Sequence, residues 1–274
     1  MNIKTLATAA AIALALGAGG VRAQTISGPP GGVNAGEADG DLILGFTNPT
    51  TPTANDLVYD IGSASSYSGL APGTYTVSAY QGSGDVTSVL GSSAFTSGNV
   101  VWGIIGGNSG TGAAGAPNET VWAATPGAAL TAGSAQTTLS DNIDGFTNAG
   151  VGNGAQLSDN PNAVTVPYGV GFNQQATAQG SASEGTFGYF SSSILGTLGT
   201  TTTMQLYELI APVGSTPGRS IDLGTFALSG STLTFTPFEA IPEPSTYAAV
   251  LGALTIGFVL IRRRNRSAGI SALA

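Results

Sequence analysis

The chain has 274 residues, only 8% of them charged, and it contains neither cysteine nor histidine. It therefore cannot form disulfide bonds, zinc sites built from Cys or His, or catalytic triads of the Ser-His-Asp and Cys-His types. It also lacks the side chain that most often exchanges protons near neutral pH.

The first residues have the pattern of a secretory signal peptide. Lys4 gives a positively charged start, residues 6–16 form an apolar segment too short for a stable membrane span, and Val21-Arg22-Ala23 ends in a small residue. This order predicts a signal peptide over residues 1–23, with cleavage between Ala23 and Gln24. We therefore expect the chain to be exported.

Short runs of apolar and aromatic residues, separated by Gly, Pro and Asn turns, follow the signal peptide and predict β-strands. Residues 24–40, rich in Gly and Pro, are interpreted as a flexible leader before a β-rich body over 41–240. A Ser229-Gly230 turn predicts a hairpin, and residues 135–143 have weak helical potential. This pattern favours a mainly β single domain, a β-sandwich or jelly roll. The predicted strands are 41–46, 56–61, 73–80, 99–105, 119–124, 185–190, 203–209, 222–228 and 231–235.

The alternation within these strands also predicts which side chains are buried. The predicted core residues are Leu44, Val58, Val77, Val101, Trp102, Phe187, Leu206, Phe226 and Phe235.

The region between the two ends, residues 24–241, is strongly acidic. It has fourteen Asp and Glu residues against Arg219 alone, a formal charge of −13. Nucleic acids and anionic membrane surfaces bind to clustered Lys and Arg, so neither is an expected partner of this region. The charge of this region does not exclude cations, neutral sugars or basic surfaces as partners.

The C-terminal part of the chain combines three features. Pro242-Glu243-Pro244 is followed by an apolar segment over residues 246–261 and then by four arginines. As a helix, these sixteen residues span about 24 Å, less than the roughly 30 Å of a hydrocarbon core. The positive-inside rule places the body outside and residues 267–274 in the cytoplasm. The arginines are Arg262, Arg263, Arg264 and Arg266.

These three features together resemble the PEP-CTERM protein-sorting signal, here over residues 241–266. The resemblance implies an exported bacterial protein that is processed by an exosortase-type membrane enzyme. It also implies a cell surface or extracellular matrix rich in exopolysaccharide as the destination. Two segments of the body, residues 39–46 and 59–62, resemble uncharacterised PEP-CTERM bodies, as does the hairpin over 222–235.

Clusters of carboxylates could offer oxygen ligands to Ca²⁺, although none matches the EF-hand spacing. The alternative is that they are solvated turn residues. One cluster is Glu37, Asp39 and Asp41, and the other is Asp141, Asn142 and Asp144. The repeated sequence Leu-Ser-Asp-Asn at 139–142 and 157–160 is interpreted as turn chemistry.

Aromatic residues could form a platform for sugar rings, with core packing as the alternative. The candidates are Trp102, Trp122, Tyr75, Tyr80, Tyr189 and Tyr207. Glu119, Glu184 and Glu208 could include a glycosidase pair, although nothing in their spacing supports it.

The sequence therefore predicts a non-enzymatic surface or matrix protein, without a catalytic residue, a cofactor or a bound metal. Its expected partners are the membrane, through the helix 246–261, the processing enzyme, and exopolysaccharide. The two alternatives are a carbohydrate-binding module or adhesin, and an extracellular hydrolase that uses paired carboxylates.

Overall fold

The structure is a computed structural model that describes residues 24–27, 40–51, 55–108, 116–133, 154–167 and 194–238, with Ser140, Ile143, Phe172 and Thr255. The described residues contain twelve strands and the helix α1, Ser83–Leu90. The first six strands are β1 (Gln24–Ile26), β2 (Asp41–Thr47), β3 (Asn55–Ser63), β4 (Tyr75–Val77), β5 (Val101–Asn108) and β6 (Thr120–Thr125). The others are β7 (Ala155–Gln156), β8 (Ala163–Pro167), β9 (Gly196–Thr197), β10 (Thr203–Ile210), β11 (Arg219–Leu228) and β12 (Leu233–Pro237).

All twelve strands belong to one sheet, in the order β1-β4-β12-β11-β10-β6-β5-β2-β3-β8-β7, with β9 paired to β5. The β1–β4 pair is parallel, and the other described pairs are antiparallel. The prediction of a mainly β fold is confirmed. The more specific prediction, a β-sandwich or jelly roll, differs from the structure, in which one continuous sheet curls into a half-barrel. The physical reason is that β10 pairs with both β6 and β11, which joins the two halves into one ladder.

The inner face of the curled sheet is filled by a large apolar core. Tyr67, from the 3-10 turn Ala64–Tyr67 that follows β3, reaches Phe226 and Phe235 with ring centroids 5.3 and 5.1 Å away. Trp102 is fully buried, and its indole N–H donates to the carbonyl of Thr201 at 3.0 Å. Side chains from strands distant in the sheet therefore meet inside the half-barrel and hold its curvature.

The outer face is apolar as well in the central strands. Ile43, Val58 and Ile105 lie on it, fully buried. Phe172 packs its ring against Gly45, where any Cβ would collide with it. This covering explains why β2, β3 and β5 have near-continuous apolar runs instead of clean alternation.

A segment over residues 78–91 packs against strands β2 and β3 and reaches the turn between β11 and β12, where Tyr80 Oη donates to the Gly230 carbonyl at 3.4 Å. Tyr80 stacks on Phe46 of β2 at 6.1 Å and meets Tyr59 of β3 edge-on at 5.5 Å. Helix α1 then packs against β3 and buries Val86 completely. We call this segment the strap.

Most of the predicted strands that fall in the described residues are present, with ends shifted by a few residues. The hairpin of β11 and β12 is confirmed, although its turn covers 229–232, with Ser229 and Thr232 bonded to each other. The strand predicted over 73–80 is shorter, because the chain leaves the sheet after Val77 and begins the strap. Helix α1 and the strands β7, β8 and β9 were not predicted. The prediction over 185–190 lies outside the described residues, and of 135–143 only Ser140 and Ile143 are described, both helical.

The leader interpretation of residues 24–40 is wrong at its start. Gln24–Ile26 pair with Tyr75–Val77, and Ile26 is buried in the inner core. One apolar side chain in a Gly- and Pro-rich context is enough here, because β4 offers an edge that is otherwise open.

The predicted core is confirmed for seven of the nine side chains named above, while Val101 is half-buried and Phe187 lies outside the described residues. By internal packing the chain divides into two units, Met1–Phe238 and Glu239–Ala274. Thr255, the one described residue of the second unit, is helical and exposed. In the described part of the chain, no helix has both the length and the apolar character needed to cross a bilayer.

Candidate functional site

The aromatic residues considered as a sugar platform belong to the core. Trp102, Trp122, Tyr75, Tyr80 and Tyr207 are each at most 6% exposed. Tyr189 lies outside the described residues. The core-packing interpretation is therefore confirmed for these five, and they present no exposed row to a ligand.

Two of the three glutamates considered as a hydrolase pair are described. Glu119 precedes β6 with a positive φ of 61°, and its amide donates to Asn108 at 2.7 Å. Glu208 lies in β10 directly opposite Trp122 and is half-buried. Burial raises the pKa of Glu208, and Arg219 partly offsets that rise. Glu184 lies outside the described residues.

Of the carboxylates considered as calcium ligands, only Asp41 is described. Glu37, Asp39, Asp141, Asn142 and Asp144 all lie outside the described residues. Within the described ranges, no group of three or more His, Cys, Asp or Glu side chains could hold a metal ion.

The structure brings Asp41 next to a second acid that sequence spacing does not connect with it. Strands β2 and β3 pair with Ile43 opposite Asp60 and Asp41 opposite Ser63, so β3 has an extra residue between these pairs. Gly62 supplies the bulge, with a φ of 94° that favours glycine.

Asp60 is 1% exposed, and its Oδ1 accepts a hydrogen bond from the Gly62 amide at 2.8 Å. Burial, and then the charge of Asp41, raise the pKa of Asp60 to about 7, against a smaller lowering by the Gly62 bond. The one cation among the described residues, Arg219, lies on β11, separated from β3 by β10, β6, β5 and β2. This arrangement can hold a proton near neutral pH.

A second polar group lies where the strap meets the far end of the sheet. The carboxylate of Asp85 on α1 accepts hydrogen bonds from Tyr59 Oη at 3.1 Å and from Asn160 Nδ2 at 2.9 Å. Asn160 Nδ2 also donates to the carbonyl of Ala79 at 3.2 Å. Burial and then Asp85 raise the pKa of Tyr59 well above its ordinary range, so its hydroxyl remains a donor.

The sequence predicts the turn that contains Asn160. Asn160 lies in the turn between β7 and β8, where its side chain accepts from the Asn162 amide at 3.1 Å and its carbonyl accepts from the Ala163 amide. The interpretation of residues 157–160 as turn chemistry is confirmed. What the sequence did not show is that the same side chain also reaches across to the strap.

Of the two predicted processing signals, the structure describes only Gln24, which begins β1, and Thr255; the residues that carry the motifs lie outside the described residues. They are Ala23, Pro242, Glu243, Pro244, Arg262, Arg263 and Arg264. No protein-family model, curated protein or solved structure matches the chain.

Proposed function

We propose that this chain is an exported protein of the cell surface or extracellular matrix, with a PEP-CTERM sorting signal and no enzymatic role. One observation carries the proposal: Pro242-Glu243-Pro244 is followed in order by the apolar segment 246–261 and by an arginine cluster. The signal peptide over 1–23 agrees with it, because both features serve a protein that leaves the cytoplasm.

The physical properties of the C-terminal segment fit temporary anchoring. Its helix is several ångströms shorter than a hydrocarbon core, so it spans only with local thinning or with arginines that extend to the interface. Prolines 242 and 244 restrict their neighbours to extended backbone and leave this stretch accessible to a processing enzyme. The arginines orient the precursor in the inner membrane with its body outside.

The composition of the body supports a structural role. It lacks histidine and cysteine, and Arg219 is its only cation. The carboxyl of Asp60 is buried, at 1% exposure, and is not presented at the surface. The strongly acidic charge of the body, formally −13, disfavours anionic partners and is compatible with neutral sugars and cations in an environment rich in exopolysaccharide.

The alternatives receive less support. A carbohydrate-binding module needs an exposed aromatic row or a cation-bound loop, and the five described aromatic candidates are buried. A hydrolase needs two carboxyl groups facing each other in a cleft. Glu208 lies opposite Trp122 and Glu119 precedes β6, so these two described glutamates are not opposite each other in the sheet.

The proposal is tested by fractionating the native host and determining the mature C-terminus by mass spectrometry. We expect surface or matrix fractions to hold a protein that ends close to Pro242 and lacks residues 246–274. Recovery of a surface protein that still carries the four arginines would contradict processing of this kind.

A further inference from the structure

Helix α1 lies between two glycines whose backbone conformations other residues rarely adopt. Gly82 precedes it with a φ of 114°, and Gly91 follows it with a φ of 95°. Gly82 has no side chain to cap the helix, and α1 has only eight residues. A helix of this length is marginal in isolation, so α1 depends on its contacts with the sheet.

Those contacts come from three apolar side chains and one carboxylate. Val86 is the only residue of α1 that is fully buried, and Val89 and Leu90 are partly buried and pack against the inner core. The hydroxyls of Thr87 and Ser88 bond to carbonyls within the helix itself, at 2.9 and 2.7 Å, and hold nothing outside it. The described polar contacts between α1 and the rest of the body are made by Asp85, with Tyr59 and with Asn160.

The surface beneath α1 is aromatic. Tyr59 meets Phe46 edge-on with centroids 5.9 Å apart, and Tyr80 packs on both. Each of these three side chains is at most 4% exposed while the strap is in place. Lifting α1 breaks the hydrogen bond between Asp85 and Tyr59, withdraws Val86 from the inner core and exposes the inner face at this point.

From this geometry we propose that α1 is a hinged flap, which turns about Gly82 and Gly91 and is latched by the Asp85 carboxylate. The two glycines are the hinges, and the hydrogen bonds from Tyr59 and Asn160 to Asp85 form the latch. The apolar contact that opening must break is made by Val86, with Val89 and Leu90 partly buried beside it. Opening is local, because the ladder of β10 and β11 does not involve the strap. Local openings of this kind occur in segments with few fully buried side chains.

The test is amide hydrogen exchange of the full-length chain in detergent, comparing α1 with β10 and β11. The wild-type flap should exchange faster than those strands, through local opening. Asp85→Ala removes both latch bonds, and we expect exchange in α1 to rise about tenfold or more, because hydrogen bonds to charged groups each count for about that factor. Exchange in β10 and β11 should stay at the wild-type rate.

Tyr59→Phe is the milder variant, since it keeps the ring and removes one donor. It should raise α1 exchange by a smaller factor. Ser88→Ala, on the same helix but outside the latch, is the matched control and should leave the ratio of rates unchanged. The proposal is overturned if α1 and β10–β11 exchange at one common rate in the wild type. It is equally overturned if Asp85→Ala and Tyr59→Phe accelerate both regions by the same factor.

Discussion

The backbone amide of Gly62 donates a 2.8 Å hydrogen bond to the buried carboxyl of Asp60, two residues before it in the β3 bulge. This bond holds the carboxyl in place but does not compensate for its burial beside Asp41, so the pKa of Asp60 lies at about 7. The folded chain therefore binds a proton that the unfolded chain, with a carboxyl pKa near 4, releases.

The first prediction concerns pH. Because the folded pKa is raised, the stabilisation is complete below about pH 4 and is lost as the pH rises to about 7. The free energy of unfolding should fall by up to about 1.4 kcal/mol per pH unit over this range and level off above it. Urea denaturation between pH 5.5 and 8 measures it, in a window that no histidine complicates.

Asp60→Asn cannot ionise, and it should remove the slope and be more stable than the wild type at pH 8. Asp159→Asn, at an exposed acid in the β7–β8 turn, should keep the wild-type slope. Equal slopes in Asp60→Asn and wild type would show that Asp60 does not hold the proton.

The second prediction uses two glycines of the strap as a matched pair. Gly84 lies inside α1, where an added Cβ would meet open space and the backbone angles suit any residue. Gly84→Ala should therefore stabilise the folded chain by about 0.5 kcal/mol. Gly91 also has open space but a φ of 95°, so Gly91→Ala should destabilise by roughly 1 kcal/mol. Chemical denaturation of both variants is sufficient, and effects of the same sign would contradict the backbone assignment.

The third prediction concerns salt. The acids of the body repel one another over a Debye length of about 30 Å at 0.01 M ionic strength and about 10 Å at 0.1 M. The melting temperature of the chain should therefore rise with NaCl, and further with Ca²⁺ at equal ionic strength. Arg219→Gln removes the only cation of the body and should make the salt dependence steeper. Melting curves that do not move with salt would mean that the acids are too dispersed to interact.

The fourth prediction concerns the mature N-terminus. Cleavage at the predicted site, between Ala23 and Gln24, would leave a chain whose first three residues form β1, with Ile26 in the core. Mass spectrometry of surface material should find Gln24 as the first residue. An N-terminal peptide that begins at Met1 would contradict removal of the signal peptide.

Much of the sheet could be predicted from the sequence because its strands carry local signals. Alternation in β10 and β12, and apolar runs in β2 and β5, each follow from which faces are buried. Helix α1 could not be predicted in this way, since Gly84, Val86 and Thr87 are poor helix formers and the helix depends on tertiary contacts.

Among the polar groups, too, only the contacts made within a short stretch of sequence could be predicted. The turn at Asn160 is local and was recognised from four residues. The pairing of Asp60 with Asp41 depends on a bulge that sets the register of two strands, and the Asp85 latch depends on the curl of the whole sheet. Neither relation is encoded within a short window of sequence, so neither was predicted.

We propose that the C-terminal segment is a sorting signal and not merely an anchor. Changing the four arginines after the span to neutral residues should impair insertion and orientation, because an already short helix loses its positive-inside residues. That variant should leak from the membrane or insert poorly, and membrane fractionation detects it.

The most direct test is replacement of Pro242-Glu243-Pro244 by three alanines, which leaves the segment 246–261 and its arginines intact. Immunoblots of membrane and surface fractions, with mass spectrometry of the C-terminus, provide the measurement. We expect normal insertion, no C-terminal cut, and accumulation of a membrane-bound precursor. Unchanged cutting and unchanged surface delivery in this variant would contradict the account.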